Sequence, residues 1–493
     1  MGAMNCDCLV IGAGFGGLGA ALTLAEGGAK VIVCEALNYP GGCASTFHRA
    51  GHSFESGATL FSGFDNGQLF ASWISKHRLE VKTVALDPIV ELRAPGFVFP
   101  IPGKREALID QMCALPNAPE KKLRAFFSRQ KKVADTLWPV LDTPDLLPPL
   151  KARALAHHAL HAGRYAFLTP LIGQPLLKVL EEEGVASFPP LRLFVDAVCQ
   201  ITVQAPAAEA EAVLALSALD YFFRGTRHVQ GGIGALAFAL TSAITKLGSE
   251  VKLANAVKKL ERLPDGRWQA TTRAGVIEAK SVIANLLPQD LRKLCATPID
   301  SKPLDQIAED IEGGWGAVML YRALPSNRFD ASAKHLELVR DPNQLLVEGN
   351  HLFCSVSAQD EKEGGLGTRS VTISTHVALK PFRALDSVGQ GAAVAKIQAQ
   401  MRETITLFAP ELDAPVLELT ASPRTFARFT RRHLGAVGGI PRRAGLHNYR
   451  QLSPLEAAPG LFLVGDSVFP GQSTLATATG GQRVATALLS RLR

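Results

Sequence analysis

Six residues near the N-terminus, Gly12-Ala13-Gly14-Phe15-Gly16-Gly17, have the types and spacing of a loop that holds phosphate. In a G-x-G-x-x-G run, Gly12 permits the tight turn, Gly14 lets the backbone approach a pyrophosphate, and Gly17 lets the following helix pack closely on its strand. The phosphates then sit at a helix N-terminus, where unpaired N–H groups and the helix dipole favour anions. The flanks give this weak pattern its meaning. Asp7 to Ile11 reads as a buried strand, Leu18 to Glu26 as a helix and Lys30 to Glu35 as a second strand, the βαβ order of a dinucleotide site. Glu35 ends the second strand, about 20 positions beyond Gly17, where a carboxylate accepts ribose hydroxyls and repels a 2′-phosphate.

Further small-residue turns follow. Glu35-Ala36 leads into Pro40-Gly41-Gly42-Cys43-Ala44-Ser45-Thr46, whose double glycine turns backbone N–H groups toward a cofactor. Phe54-Glu55-Ser56-Gly57-Ala58-Thr59 is a turn suited to flavin contact, with Gly57, Ala58 and Thr59 as its candidates. At the far end of the chain, Gly460 to Val464 is an apolar strand closing on Gly465-Asp466. There Asp466 can accept from a ribityl hydroxyl. Gln472-Ser473-Thr474 opens a last helix, expected to run through Leu489, whose N-terminal N–H groups can face the flavin N1/C2 edge and stabilise negative charge there.

Asp7 to Thr59 together with Gly460 to Arg483 resembles the phytoene desaturase superfamily of FAD-containing carotenoid oxidoreductases, most closely its carotenoid isomerases and late-pathway desaturases. His228 to Leu236 is similar to that family's internal double-glycine segment. Ser422-Pro423-Arg424-Thr425-Phe426 with Gly435, Gly438 and Gly439 resembles its Pro-Arg-Thr-Phe segment, and Gly465 to Gln472 its C-terminal signature. The resemblance is strong at both ends and loose from about 105 to 224. One departure is Cys43, where many relatives carry a basic residue, so that the pyrophosphate lacks one side-chain contact. The resemblance implies noncovalent FAD as cofactor and a long apolar polyene as substrate, entering from a membrane surface. The implied reaction is that of a carotenoid desaturase, with cis–trans isomerisation or saturation as variants at the same site. No acid or base is assigned: Glu55, His376 and Arg424 lie in family-like segments and read as structural. Two other classes share the architecture, a lipid or prenyl carrier without catalysis and an amine oxidase. The intact Glu35, Gly42 and Gly465-Asp466 set argues against the first, and the lack of a paired aromatic cage against the second.

The elements that must position these residues form an α/β protein. Its Rossmann-type FAD-binding domain is assembled from discontinuous segments (4–104, 225–305 and 456–493). A mixed sheet-and-helix substrate domain (306–455) and a helical lid (105–224) complete it. Gly231-Gly232-Ile233-Gly234 opens a helix from Ala235 to Leu247. The strands expected after it, Glu250 to Leu260, Arg267 to Arg273 and Ser281 to Asn285, read as a return to the cofactor domain, with Val257 and Asn285 as candidate contacts. Gly41 to about Gly63 reads as ordered loop.

A formal charge of +7 favours anionic partners. No basic tract is interleaved with aromatics, so nucleic acid is not expected. The arginines from Arg424 to Arg450 read as a solvated face. Trp138 to Leu180 alternates Pro-broken apolar pieces with Lys151, Arg153 and Arg164, and fits equally a lipid-facing surface and ordinary core helices. Eight cysteines without a C-x-x-C pair suit reduced thiols in a cytoplasmic protein peripheral to a membrane. His157, His158 and His161 have no carboxylate placed nearby, so no metal site is expected. The uncharged run from Cys8 to Ala25 touches the length of a membrane span, but its glycines at turn spacing argue for strand, turn and helix.

Overall fold

The computed structural model describes residues 3–57, 59–359, 361 and 367–492. The apolar run at the N-terminus forms the strand Met4–Ile11, continuously buried from Cys8 onward as a central parallel strand must be. It pairs in parallel with Val31–Cys34 on one side and Gly275–Ala284 on the other. Glu250–Lys252 and Leu461–Leu463 extend the parallel core at its two sides. The long strand Gly275–Ala284 shares its outer edge. Its first half pairs antiparallel with Trp268–Thr272, itself paired with Val257–Arg262, and its last residues pair with Leu461–Leu463. Three stretches of chain thus build one eight-stranded sheet. The helix Phe15–Glu26 has every residue buried but its last, because it lies between this sheet and the terminal helix Thr474–Leu492. A Cβ on Gly19 would stand 2.5 Å from the carbonyl oxygen of Ala478, so only glycine permits that approach.

The second sheet has seven strands, in the order Leu417–Ala421, Trp315–Pro325, Thr368–Ala378, His351–Val356, Lys334–Val339, Val90–Ala94 and Phe97–Ile101. All pairs are antiparallel except Lys334–Val339 with Val90–Ala94. A helical layer lies over its far end. Leu123, Phe126, Phe127 and Val133 of the helix Glu120–Leu141 pack with residues of Pro189–Thr202 and Ala212–Ala218 in one apolar core.

The expected α/β architecture is what forms, with differences of detail that have local causes. Val90–Ile101 was expected in the N-terminal part of the cofactor domain but pairs with the second sheet. The stretch expected as one strand from Glu250 to Leu260 is two, because Ala254 takes a left-handed φ of 52° and turns the chain to the other side of the sheet. The segment read as loop from Gly41 to Gly63 contains a hairpin, Thr46–Arg49 with His52–Glu55. The run from Cys8 to Ala25 divides into strand, turn and helix, and among the described residues no helix is long and apolar enough to cross a membrane.

Candidate cofactor and substrate site

The carboxyl end of Met4–Ile11 opens directly into the glycine loop. Gly12 has φ 96°, and Gly14 is the N-cap of the helix Phe15–Glu26 with no side-chain cap, so the first-turn N–H groups remain available to an anion. A Cβ on Gly14 would come within 2.6 Å of Asn285 Nδ2, and one on Gly16 within 2.8 Å of Asn285 Oδ1. A Cβ on Gly17 would run into the Gly12 carbonyl oxygen. Gly17 therefore serves packing, and Gly14 and Gly16 leave room in front of the loop.

Glu35 is 7 % exposed at the end of its strand. Its carboxylate accepts the Ala13 N–H at 2.7 Å and the Leu37 N–H at 2.8 Å. Burial pushes its carboxyl above the usual range, and these N–H groups oppose the shift. The second glycine loop closes over the first: Gly41 N–H donates to the Ala13 carbonyl at 2.8 Å, and Gly42, at φ 64°, lies with no side chain between it and Gly14.

At the other end, Gly465 (φ 124°) faces Asn285. The Asp466 carboxylate takes two hydrogen bonds from Arg432 Nη2, at 3.0 and 2.8 Å. Burial alone would weaken the Arg432 charge, but the Asp466 carboxylate beside it outweighs that and raises its pKa. Gln472 donates to the carbonyls of Ile201 and Thr202, tying the last turn to the end of the helix Pro189–Thr202. Ser473 (φ 88°) accepts the Ala476 N–H at 3.0 Å and caps the terminal helix.

One cavity of about 820 Å³ joins these parts. Of the residues expected to hold the cofactor, Gly12, Gly14, Phe15 and Gly16 line it, as do Glu35, Ala36, Gly41, Gly42, Cys43 and Ala44. So do Gly57, Thr59, Val257 and Asn285, together with Gly465, Asp466, Gln472, Ser473 and Thr474. Ala13 and Gly17 stand behind the wall, the first fully buried and holding Glu35, the second packing the loop. Ala58 lies outside the described residues.

Beyond the glycine loops the cavity is walled by Ala317, Met319, Phe353 and His376 of the second sheet, and by Val213, Leu214 and Ala218 of the helical layer. Leu137, Trp138, Leu141, Leu147 and Pro148 line it as well. Of the three polar residues read as structural, two lie away from this space. Glu55 accepts the Ile233 N–H at 2.8 Å at the start of the helix Ile233–Lys246, and Arg424 donates to Ser387 Oγ at 3.1 Å. His376 does line the cavity, 3.4 Å from Gln200 Nε2, and burial lowers its pKa to about 4. Arg431 and Arg432 were read as part of a solvated face; Arg431 is exposed as expected and Arg432 is half-buried, and both also line the cavity that the glycine loops line. No spacing signal marked them. His158 bonds Leu146 and Tyr165, and no cluster suited to a metal ion occurs among the described residues.

The arrangement brings to one space the amides of an uncapped helix start, the buried Glu35 carboxylate, the start of the terminal helix and apolar residues of the second sheet and the helical layer. It suits a cofactor with a diphosphate and a flat ring system. Comparisons with known proteins agree. The flavin-containing amine oxidoreductase family matches residues 15–489. Prolycopene isomerase 1 of an Oncidium hybrid cultivar is 26 % identical over 505 aligned positions, covering 96 % of this chain and 82 % of that protein. The neurosporene-forming phytoene desaturase of Rhodobacter capsulatus is 25 % identical over 274 positions, covering 52 % and 48 %. A putrescine oxidase structure superposes with a TM-score of 0.66 at 14 % identity, over 99 % of this chain and 100 % of that one, a likeness of fold. The chain belongs to the flavin-containing amine oxidoreductase family and is a flavin-dependent oxidoreductase of the superfamily that holds the carotenoid desaturases and isomerases.

Proposed function

We propose that the flavin is FAD and that the protein acts on the carbon–carbon bonds of a long apolar polyene. The single observation that carries this is the continuity of one cavity from the Gly12–Gly16 and Gly41–Gly42 loops to the apolar chamber under Trp138 and Leu147. The buried Glu35 carboxylate beside the glycine loops suits the adenosine ribose, which FAD has and FMN lacks. When bound, the flavin supplies reversible electron and hydride transfer. The chain's own residues would orient the cofactor and exclude water, and Ala317, Met319 and Phe353 would give an apolar substrate its contacts.

The relatives aligned over nearly the whole chain favour isomerisation within this class, and the desaturase aligned over half of it keeps desaturation as the second reading. Desaturation removes a proton as well as a hydride. His376 stands on the cavity wall, but burial lowers its pKa to about 4 and so disfavours the protonated form, and no base is assigned to this step. Anaerobic incubation with acyclic carotenoids separates the readings. Isomerisation requires prior reduction and leaves the flavin reduced, whereas desaturation bleaches the oxidised flavin on substrate addition. A protein that purifies colourless and takes up no FAD overturns both and points to a carrier.

Leu147 and Pro148 line the cavity, and the chain that follows exposes Leu150, Leu155, Leu160 and Ile172 among the exposed cations Lys151, Arg153 and Arg164. This combination fits docking to an anionic membrane face, from which an insoluble polyene enters. Flotation with anionic vesicles tests it: the parent protein should float, and a variant with Leu155→Ser and Leu160→Ser should stay at the bottom. A parent that does not float refutes the docking surface.

A further inference from the structure

We propose that Arg431 supplies the side-chain cation for the cofactor's diphosphate, in the place that Cys43 leaves neutral. The inference rests on the FAD reading above and adds a residue to it.

Three features converge on this position. Burial raises the Cys43 thiol above its ordinary pKa, so it stays protonated and contributes no charge beside the double glycine. The segment Thr430-Arg431-Arg432 follows the helix Pro423–Phe429, and its Thr430 hydroxyl and Arg432 charge both act on the Cys43 thiol, while Arg431 itself is exposed. All three of its residues line the same cavity as Gly12, Gly14, Gly41 and Gly42. The two arginines then divide their tasks. Arg432 is committed, its Nε to the Ala436 carbonyl at 2.6 Å and its Nη2 to Asp466. Arg431 makes no hydrogen bond or ion pair among the described residues, yet it stands close enough to Glu35 to favour the ionised carboxylate. Its backbone holds φ 59°, a left-handed conformation that an L residue adopts at a cost and that glycine adopts freely. The fold alone would prefer glycine there. An arginine kept at a strained position on the rim of an anion-binding loop is explained by what its side chain reaches.

Arginine suits the task because its planar fork matches phosphate oxygens and remains charged at any working pH. The uncapped N-terminus of Phe15–Glu26 would donate backbone N–H groups to the diphosphate, and Arg431 would add the side-chain charge.

The test uses the full-length chain, stripped of flavin and titrated with FAD and separately with riboflavin, which has no phosphate. Binding is followed by flavin fluorescence. Arg431→Gly is the main variant, because glycine relaxes the backbone and keeps the fold. It should raise the Kd for FAD about tenfold or more, in keeping with the loss of a charged hydrogen bond. It should leave the Kd for riboflavin unchanged and flatten the dependence of FAD affinity on salt. Arg431→Lys should recover part of the loss. An unchanged FAD affinity in Arg431→Gly overturns the assignment, and so does an equal loss for FAD and riboflavin, which would place the effect at the ring. If the parent itself binds no FAD, the reading of the cofactor fails instead, which is a different result.

Discussion

Replacing His335 by leucine is expected to stabilise the protein and to blunt its sensitivity to acid. His335 lies on the strand Lys334–Val339 and is 3 % exposed. Neither ring nitrogen has a hydrogen-bond partner among the described residues. The ring packs 5.8 Å from Phe353 and 6.3 Å from His228, which is itself paired with Glu361. Burial, with a smaller contribution from His228, lowers its pKa from 6.5 to about 3. The unfolded chain therefore takes up a proton near pH 6.5 that the folded chain refuses until about pH 3. Between these values the unfolded state binds more protons, so stability is full above pH 6.5 and falls as the pH drops through the window. One unit of separation corresponds to about 1.4 kcal/mol, so this residue alone costs about 2 kcal/mol at pH 5. Leucine has no proton to take up. It also removes two buried polar atoms that have no partner among the described residues, a gain of about 1–3 kcal/mol at neutral pH. Urea unfolding of parent and variant at pH 7.5 and pH 5, with equal free flavin in all samples, reads both effects. His376 is present in both proteins and cancels in the comparison. If the two proteins lose the same stability between pH 7.5 and pH 5, the assignment of the acid sensitivity to His335 is wrong.

Three further outcomes follow from the same geometry. Gly17→Ala should abolish measurable FAD binding, because the new Cβ meets the rigid carbonyl of Gly12. Gly14→Ala meets the amide end of Asn285, which can rotate, and should weaken binding less; equal effects in a fluorescence titration would contradict this. Tyr321→Phe removes a hydrogen bond from the buried phenol to the Ser56 carbonyl at 2.7 Å, and should cost about 1 kcal/mol in urea unfolding while FAD stays bound. With a pKa of about 4, His376 is neutral from pH 5.5 to 8, so kcat/KM for a polyene should show no inflection from it in that range; an inflection near pH 6.5 that disappears in His376→Ala would refute this.

The cofactor end was legible in the sequence because its work is done by backbone. Where N–H groups and bare Cα atoms must approach a ligand, side chains are excluded, and glycine at fixed spacing records the exclusion. Gly12, Gly14, Gly41, Gly42 and Gly465 all line the cavity for that reason. Glu35 was found by its distance from the loop, set by one helix and one strand. The hairpin Thr46–Arg49 with His52–Glu55 was missed because its polar residues, His48, Arg49 and His52, blur the alternation of a half-buried strand. The break at Ala254 was missed because neither glycine nor proline marks it. Arg431 was missed for a related reason. A basic stretch gives no sign that Arg431, exposed as expected, also borders the cavity.

The substrate end is different in kind. Its wall is assembled by strands that pair antiparallel across long stretches of chain, Trp315–Pro325 against Thr368–Ala378 and the latter against His351–Val356. Ala317, Met319, Phe353 and His376 meet only through that register, and no local spacing encodes it. Except for His376, these four are apolar groups of differing bulk. Such a wall discriminates by shape, and one methylene more or less in an apolar pocket is worth only about 1–3 kcal/mol. Small substitutions here would therefore change which polyene bond lies against the flavin without touching the machinery that binds it. One cofactor cradle can in this way serve isomerases, desaturases and reductases, and the residues that decide between them are to be sought at Met319, Phe353 and His376, where systematic exchange followed by product analysis reads the choice directly.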